Sequence, residues 1–311
     1  MSSAWTVREF DACQEHAVVN LWNRCLVRDE ITLTTFRRKA LLDSNFDPHG
    51  CFIAAAGDEI VGFLLGLRRR YPYYDLGLEP DKGWITVFFV HPDHRRDGIG
   101  SALLARAEQF LARCGASQVT VADYTPNYFF PGIDLDAYEP SFKFLAAHGY
   151  VMAQRVYGMG TSLIDFAVPA DQAEKFLRLR SAGVSVEVFE PSLTLKVLEF
   201  LRLHYPGDLF HVARNRLMED PECDEILVAL KAGEVIGFSH FLGERFGPFG
   251  IAPAYAGRGI GPMLYYATVE QMRKKGRRNL WLAWTTGRAK DFYYHVGLRV
   301  TRRHAIMRKM L

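Results

Sequence analysis

The stretch Trp84-Ile85-Thr86-Val87-Phe88-Phe89-Val90-His91-Pro92-Asp93-His94-Arg95-Arg96-Asp97-Gly98-Ile99-Gly100-Ser101-Ala102-Leu103-Leu104 reads as strand, glycine-rich turn and helix. Residues 84–90 are β-branched and aromatic, as a buried strand requires. Leu103, Leu104, Ala107, Phe110 and Leu111 then recur at helical spacing until Gly115 supplies a stop. Gly98 and Gly100 carry no Cβ, so the backbone of the turn can approach a ligand closely, and the first N–H groups of the following helix have no internal partner. A turn of this kind is an anion site.

The frame occurs twice. Ile251-Ala252-Pro253-Ala254-Tyr255-Ala256-Gly257-Arg258-Gly259-Ile260-Gly261 repeats residues 90–100 without a gap, and Met263, Leu264 and Ala267 begin another amphipathic helix that ends at Gly276. Upstream of each copy lies a hairpin turn entering an apolar strand, Gly57-Asp58-Glu59-Ile60-Val61-Gly62-Phe63 and Gly233-Glu234-Val235-Ile236-Gly237-Phe238. Two ordered matches in each half imply a duplicated domain.

The 311 residues suffice for two domains with cores of their own, and 49% hydrophobic with 23% charged residues is a globular composition. A formal charge of +3 provides no strong field toward nucleic acid or membrane. Cys13, Cys25, Cys51, Cys114 and Cys223 are scattered, without metal-ligand spacing, and read as reduced buried thiols; no metal is expected. Met1-Ser2-Ser3-Ala4-Trp5 carries no basic-then-apolar leader pattern and no apolar run is long enough to span a bilayer, so a cytoplasmic protein is expected. Arg68-Arg69-Arg70-Tyr71-Pro72-Tyr73-Tyr74 could serve phosphates and bases, but on so neutral a chain it reads as a solvated hairpin extension.

The turn has neither the third glycine of a dinucleotide fingerprint nor the Lys-Ser/Thr ending of a nucleoside triphosphate loop. Its order Val90-x-Pro92-x-x-Arg95-x-x-Gly98-x-Gly100 resembles the pyrophosphate loop of the GNAT superfamily of acetyl-CoA-dependent N-acyltransferases. The resemblance implies an α/β (α+β) fold of two tandem domains, each a mixed, mostly antiparallel twisted sheet flanked by helices, in an arrangement similar to that of mycothiol synthase. The expected division is residues 1–168, a linker helix within 169–183, and residues 184–311. Strands are expected near 151–157 and 161–168. The insertion at 123–134 reads as a pocket wall or as a packed surface loop.

The resemblance also assigns roles. Acetyl-CoA (CoA) is the implied cosubstrate and a primary amine of a small molecule or peptide the acceptor. Phe249, Gly250 and Ile251 would hold pantetheine, and Gly257, Arg258, Gly259, Ile260 and Gly261 the pyrophosphate. In the first half Phe89, Val90, Arg95, Arg96, Asp97, Gly98, Ile99, Gly100 and Ser101 are the corresponding cofactor residues. Acyl transfer from a thioester needs a proton for the departing thiolate. The family places a tyrosine there in a segment resembling Ala-x-x-Phe-Tyr-x-x-x-Gly-Phe, which Ala289-Lys290-Asp291-Phe292-Tyr293-Tyr294-His295-Val296-Gly297-Leu298 fits with Tyr293 as the acid. Gly149 sets the same frame in the first half and puts Leu145 at the donor position. Ala256 replaces the basic residue that Arg95 supplies in the first loop. Catalysis is therefore expected in the C-terminal half, with a non-catalytic acyl-CoA sensor as the alternative. Glu244 reads as a solvated turn residue, and His240 and His295 as satisfied structural histidines.

Overall fold

The computed structural model describes residues 4–311 apart from the side chains of Asp75 and Asp208; the N-terminal Met-Ser-Ser of the leader reading lies outside it. Two compact units are present, residues 1–156 with Arg302–Leu311, and Tyr157–Thr301.

In the first unit β1 (Trp5–Glu9), β2 (Cys51–Ala56), β3 (Glu59–Leu67) and β4 (Lys82–Val90) form an antiparallel meander. Helix α1 (Glu15–Cys25) and the short α2 (Leu33–Phe36) follow β1. Helix α3 (Ile99–Arg113) returns the chain to β5 (Gln118–Val121), which runs parallel to β4. A two-residue strand, β6 (Ile133–Asp134), and α4 (Glu139–Ala147) complete this half. Trp22 and Phe36 from the helices are fully buried on one face of the sheet, and Leu103, Leu104 and Ala107 of α3 on the other.

The second unit repeats the plan. Its strands are β8 (Val184–Val188), β9 (Ile226–Lys231), β10 (Glu234–Leu242), β11 (Arg245–Ile251) and β12 (Asn279–Thr285). Neighbours are antiparallel except for the parallel pair β11 and β12. Helices α6 (Thr194–His204) and α7 (Asp208–Glu219) precede β9; α8 (Ile260–Lys274) follows β11, and α9 (Gly287–His295) follows β12.

The last strand of each unit departs from the expected division. Residues 151–162 form one strand, β7 (Val151–Ser162), where two were expected, and its end pairs with β12 of the second unit, from Asn279↔Ser162 to Thr285↔Tyr157. The chain's final strand, β13 (Arg299–Met310), passes into the first unit and pairs there with β5, from Met307↔Val121 to Met310↔Gln118. The helix read as a linker, α5 (Ala170–Ser181), lies inside the second unit, with Phe176 buried against Tyr266. Its amphipathic face finds a core, which a solvated linker would not offer it.

The basic aromatic hairpin is also not simply solvated. Arg69 is buried, its guanidinium 4.9 Å from the Tyr73 ring, 5.0 Å from Trp84 and 5.4 Å from Tyr124, and its Nε donates to Glu79 at 2.8 Å. Ion pairing and stacking on aromatic faces meet the cost of burying that charge.

Candidate active site

Both glycine turns have one backbone form. Gly98 has φ 84° and Gly259 φ 84°, each left-handed, and Arg96 at φ 73° corresponds to Gly257 at φ 75°. No side chain caps the first turn of α3 or α8, so their N–H groups face outward. The repeated sequence frame thus carries one backbone geometry, although the copies differ in detail. Pro262 stands where the first loop has Ser101, so the second loop has one backbone donor fewer. Arg95 turns its Nε back to the Val90 carbonyl at 3.3 Å. Arg258 lies 5.6 Å from the ring of Tyr255.

Each parallel strand pair splays beside its loop. In the first unit pairing runs from Lys82↔Gln118 to Ile85↔Val121 and stops, which leaves the end of β4 with a free edge. In the second unit only Arg245↔Trp281 pairs. Pro248 has no N–H to give a ladder, Gly247 adopts φ 103°, and the register of β10 against β11 shifts beside them, so the strand carries a bulge here. Beyond the bulge Ala252 N–H donates to Ile236 O at 2.9 Å. Alternation along an antiparallel pair then turns the amide groups of Ile251 and Phe249 toward the open edge.

Tyr293 on α9 is 8% exposed and packs edge-on to Phe246 at 6.0 Å, with Phe249 at 6.4 Å. Burial, reinforced by the nearby Tyr205, raises its phenol well above the ordinary tyrosine range and keeps it protonated. The corresponding Leu145 is 2% exposed and lines a cavity of about 50 Å³ in the first unit, with Leu26, Phe130 and Tyr138. The insertion is therefore a wall here: Phe129 packs 4.8 Å from Trp22, and Phe130 lines the cavity beside Val87 and Phe88 of β4.

A larger cavity, of about 280 Å³, opens in the second unit between Pro262 and Tyr266 of α8, Phe292 and His295 of α9, and Gln172 of α5. At the matching place in the first unit Ser101 Oγ and His148 Nε2 are bonded at 3.0 Å, and the His148 ring packs against Phe144, tilted, at 4.2 Å. Pro262 and Val296 occupy those positions in the second unit and cannot form such a bridge. His295 is exposed at this opening, contrary to its reading as a satisfied structural residue.

Glu244 accepts the backbone N–H groups of Arg278 at 3.3 Å and Asn279 at 3.0 Å, which ties the start of β11 to β12. Of the thiols, Cys25, Cys51 and Cys223 are buried but Cys13 is exposed, against the expectation for all five. Folding also brings donor atoms of Cys223, Glu225 and His240 within 4.8 Å of one another, a cluster that spacing did not reveal. Arg216 and Arg277 flank the Glu225 carboxylate at 3.4 and 3.6 Å, and these guanidinium groups repel a further cation.

Sequence reasoning missed Tyr205, at the end of α6, whose hydroxyl donates to the Ile251 carbonyl at 2.6 Å. The structure aligns it with the first unit: α1 and α6 both close on a residue whose N–H bonds four residues back at 2.7 Å, and these residues are Leu26 and Tyr205.

No helix among the described residues is long and apolar enough to cross a membrane. The profile of the Acetyltransferase (GNAT) family matches residues 15–129 and 194–298. An acetyltransferase of Pectobacterium atrosepticum is 31% identical over 114 residues, 36% of this chain and 72% of the relative; one of Sodalis glossinidius is 28% identical over 116 residues, 37% of this chain and 72% of the relative. Among solved structures, the glucosamine N-acetyltransferase region of a fungal multi-domain β-N-acetylglucosaminidase superposes with TM-score 0.81 at 18% identity, covering 99% of this chain and 38% of that one. A GCN5-related N-acetyltransferase from Sphaerobacter thermophilus gives 0.71 at 19% identity over 98% of this chain and 95% of its own. A tandem GNAT protein of the clavulanic acid pathway gives 0.65 at 16% identity over 99% and 98%. With both glycine turns inside matched segments, the chain belongs to the acetyltransferase (GNAT) family as a tandem, two-domain member.

Proposed function

We propose that the chain is an N-acetyltransferase that uses acetyl-CoA and works in its second unit, by direct attack of a primary amine on the thioester within a ternary complex. The N–H groups of Gly259, Ile260 and Gly261 donate to the pyrophosphate oxygens, where the helix dipole adds to the attraction. The open edge at Phe249 and Ile251 offers backbone groups to the pantetheine amides. The amine nitrogen bonds to the acyl carbon, the carbon–sulfur bond breaks, and Tyr293 gives its proton to the thiolate. The amine loses a proton to water and Tyr293 is reprotonated, so no covalent enzyme intermediate is required.

One observation carries the reading: a buried phenol packed on Phe246 and Phe249 beside the open edge, at the position where the first unit has Leu145. Tyr293→Phe keeps the ring and removes the proton, and is expected to lower turnover by roughly 10²- to 10⁴-fold with little change in CoA affinity. The assay is acetyl-CoA with a panel of amino sugar, polyamine, amino acid and peptide N-terminus; the glucosamine-acetylating structural neighbour puts the amino sugar first. CoA binding without turnover of any amine would instead favour an acyl-CoA sensor.

A further inference from the structure

The two cleft walls are built with their aromatic and small residues interchanged. In the second unit the ring of Tyr205 lies over Gly250, where a Cβ would come within 2.4 Å of the ring. In the first unit the residue corresponding to Gly250 is Phe89, 5% exposed and packed 5.6 Å from Trp22, while the residue corresponding to Tyr205 is Leu26. Either pairing fills the space. Only the pairing in the second unit delivers a hydroxyl to the open strand edge, and there it lies close to Tyr293, the residue whose counterpart in the first unit is Leu145.

The direction of approach narrows the role of this hydroxyl. Side chains alternate along β11. Ile251 faces α8, since a Cβ on Gly237 would meet both Ile251 and Leu264, and Gly250 faces the other way, toward α6. Tyr205 therefore reaches the cleft from the face opposite the glycine turn and α8. Its proton is committed to the Ile251 carbonyl, which can only accept, so toward a ligand the oxygen offers lone pairs alone. Glu244, the carboxylate at the start of the strand, is already engaged by backbone N–H groups.

We propose that Tyr205 Oη receives an N–H of the acceptor amine and orients its nitrogen toward the thioester, as a positioning contact on the acceptor side of the cleft. This rests on the reading of the second unit as an N-acetyltransferase. The test uses the full chain, acetyl-CoA and glucosamine, with the other panel amines in parallel. Tyr205→Phe should raise the amine KM about three- to tenfold, the worth of one neutral hydrogen bond. Turnover should change less than KM, CoA affinity by calorimetry should stay within about twofold, and the melting temperature should be kept. Gly250→Ala pushes the ring aside while keeping the hydroxyl, and should reproduce the rise in KM.

An unchanged amine KM in either folded variant would overturn the proposal. In Tyr205→Phe, a change in CoA affinity that parallels the change in KM would do the same, since the hydroxyl would then serve the cosubstrate side. If the parent turned over no amine at all, the acetyltransferase reading would fail and this proposal with it; a working parent with an indifferent Tyr205→Phe variant would remove Tyr205 alone.

Discussion

His240 and His304 are buried residues whose charge the fold opposes. Burial lowers both to about 4, and neither ring nitrogen of His304 has a hydrogen-bond partner. An unfolded histidine titrates near 6.5, so between about pH 6.5 and 4 the unfolded chain binds more protons than the folded one. Stability is complete above that window and falls as the solution is acidified through it, by roughly 3 kcal/mol for each histidine. Melting temperature against pH checks this. His304→Leu should flatten the slope, because an apolar residue of similar reach leaves nothing unsatisfied there. At the same scale, Tyr293 and Leu145 show what one side chain decides: two helices in matching frames, of which one presents an ionisable hydroxyl.

At the scale of elements, the strand–turn–helix unit carries the anion site, and its tolerance can be graded. A Cβ at Gly261 would lie 3.4 Å from Phe292, which is ordinary contact. Gly261→Ala should therefore fold and retain part of its activity. Gly261→Val adds branches beside the N–H groups and should lose CoA binding and turnover while near-ultraviolet dichroism reports an intact core. A folded Val variant with parental activity would detach the second turn from cosubstrate binding. Pro248 and its neighbouring glycines mark the strand before the turn as weakened, because a missing N–H is a local property. Arg69 was not, since its three ring partners come from residues 73, 84 and 124.

For the whole molecule, duplication has left two units of the same plan and unequal openness. The first-unit cavity of about 50 Å³ is walled by Leu26, Phe130, Tyr138 and Leu145, so one CoA per chain is expected in calorimetry; a stoichiometry of two would mean that this wall opens. The strand exchange alters how the units can be separated. Cutting within residues 169–183 would remove from the first unit its final strand, which β5 needs as a partner. That strand also brings Arg302 to Asp29 at 2.6 Å and to Asp134 at 2.7 Å, and Lys309 to Glu108 at 2.9 Å. Truncation after Thr301 should leave Asp134, 1% exposed, without the Arg302 guanidinium and with Arg28 at 3.5 Å as its remaining cation, and make the first unit susceptible to protease. Protection equal to that of the full chain would show the strand to be dispensable.

Local chemistry determined much of this protein. Period, glycine placement and the gapless repeat define the strand–turn–helix units, their left-handed caps, the duplicated domain and the contrast of Tyr293 with Leu145, because each depends on neighbours within a few residues. The partner of each unit's last strand, the burial of Arg69, the wall built by Phe130 and the meeting of Tyr205 with Gly250 were decided by tertiary packing. These contacts join residues up to 273 positions apart, as in Arg302 with Asp29, and no local period encodes them. They follow from which apolar faces can be covered together and which buried charges find partners, and that is settled only when the whole chain is folded.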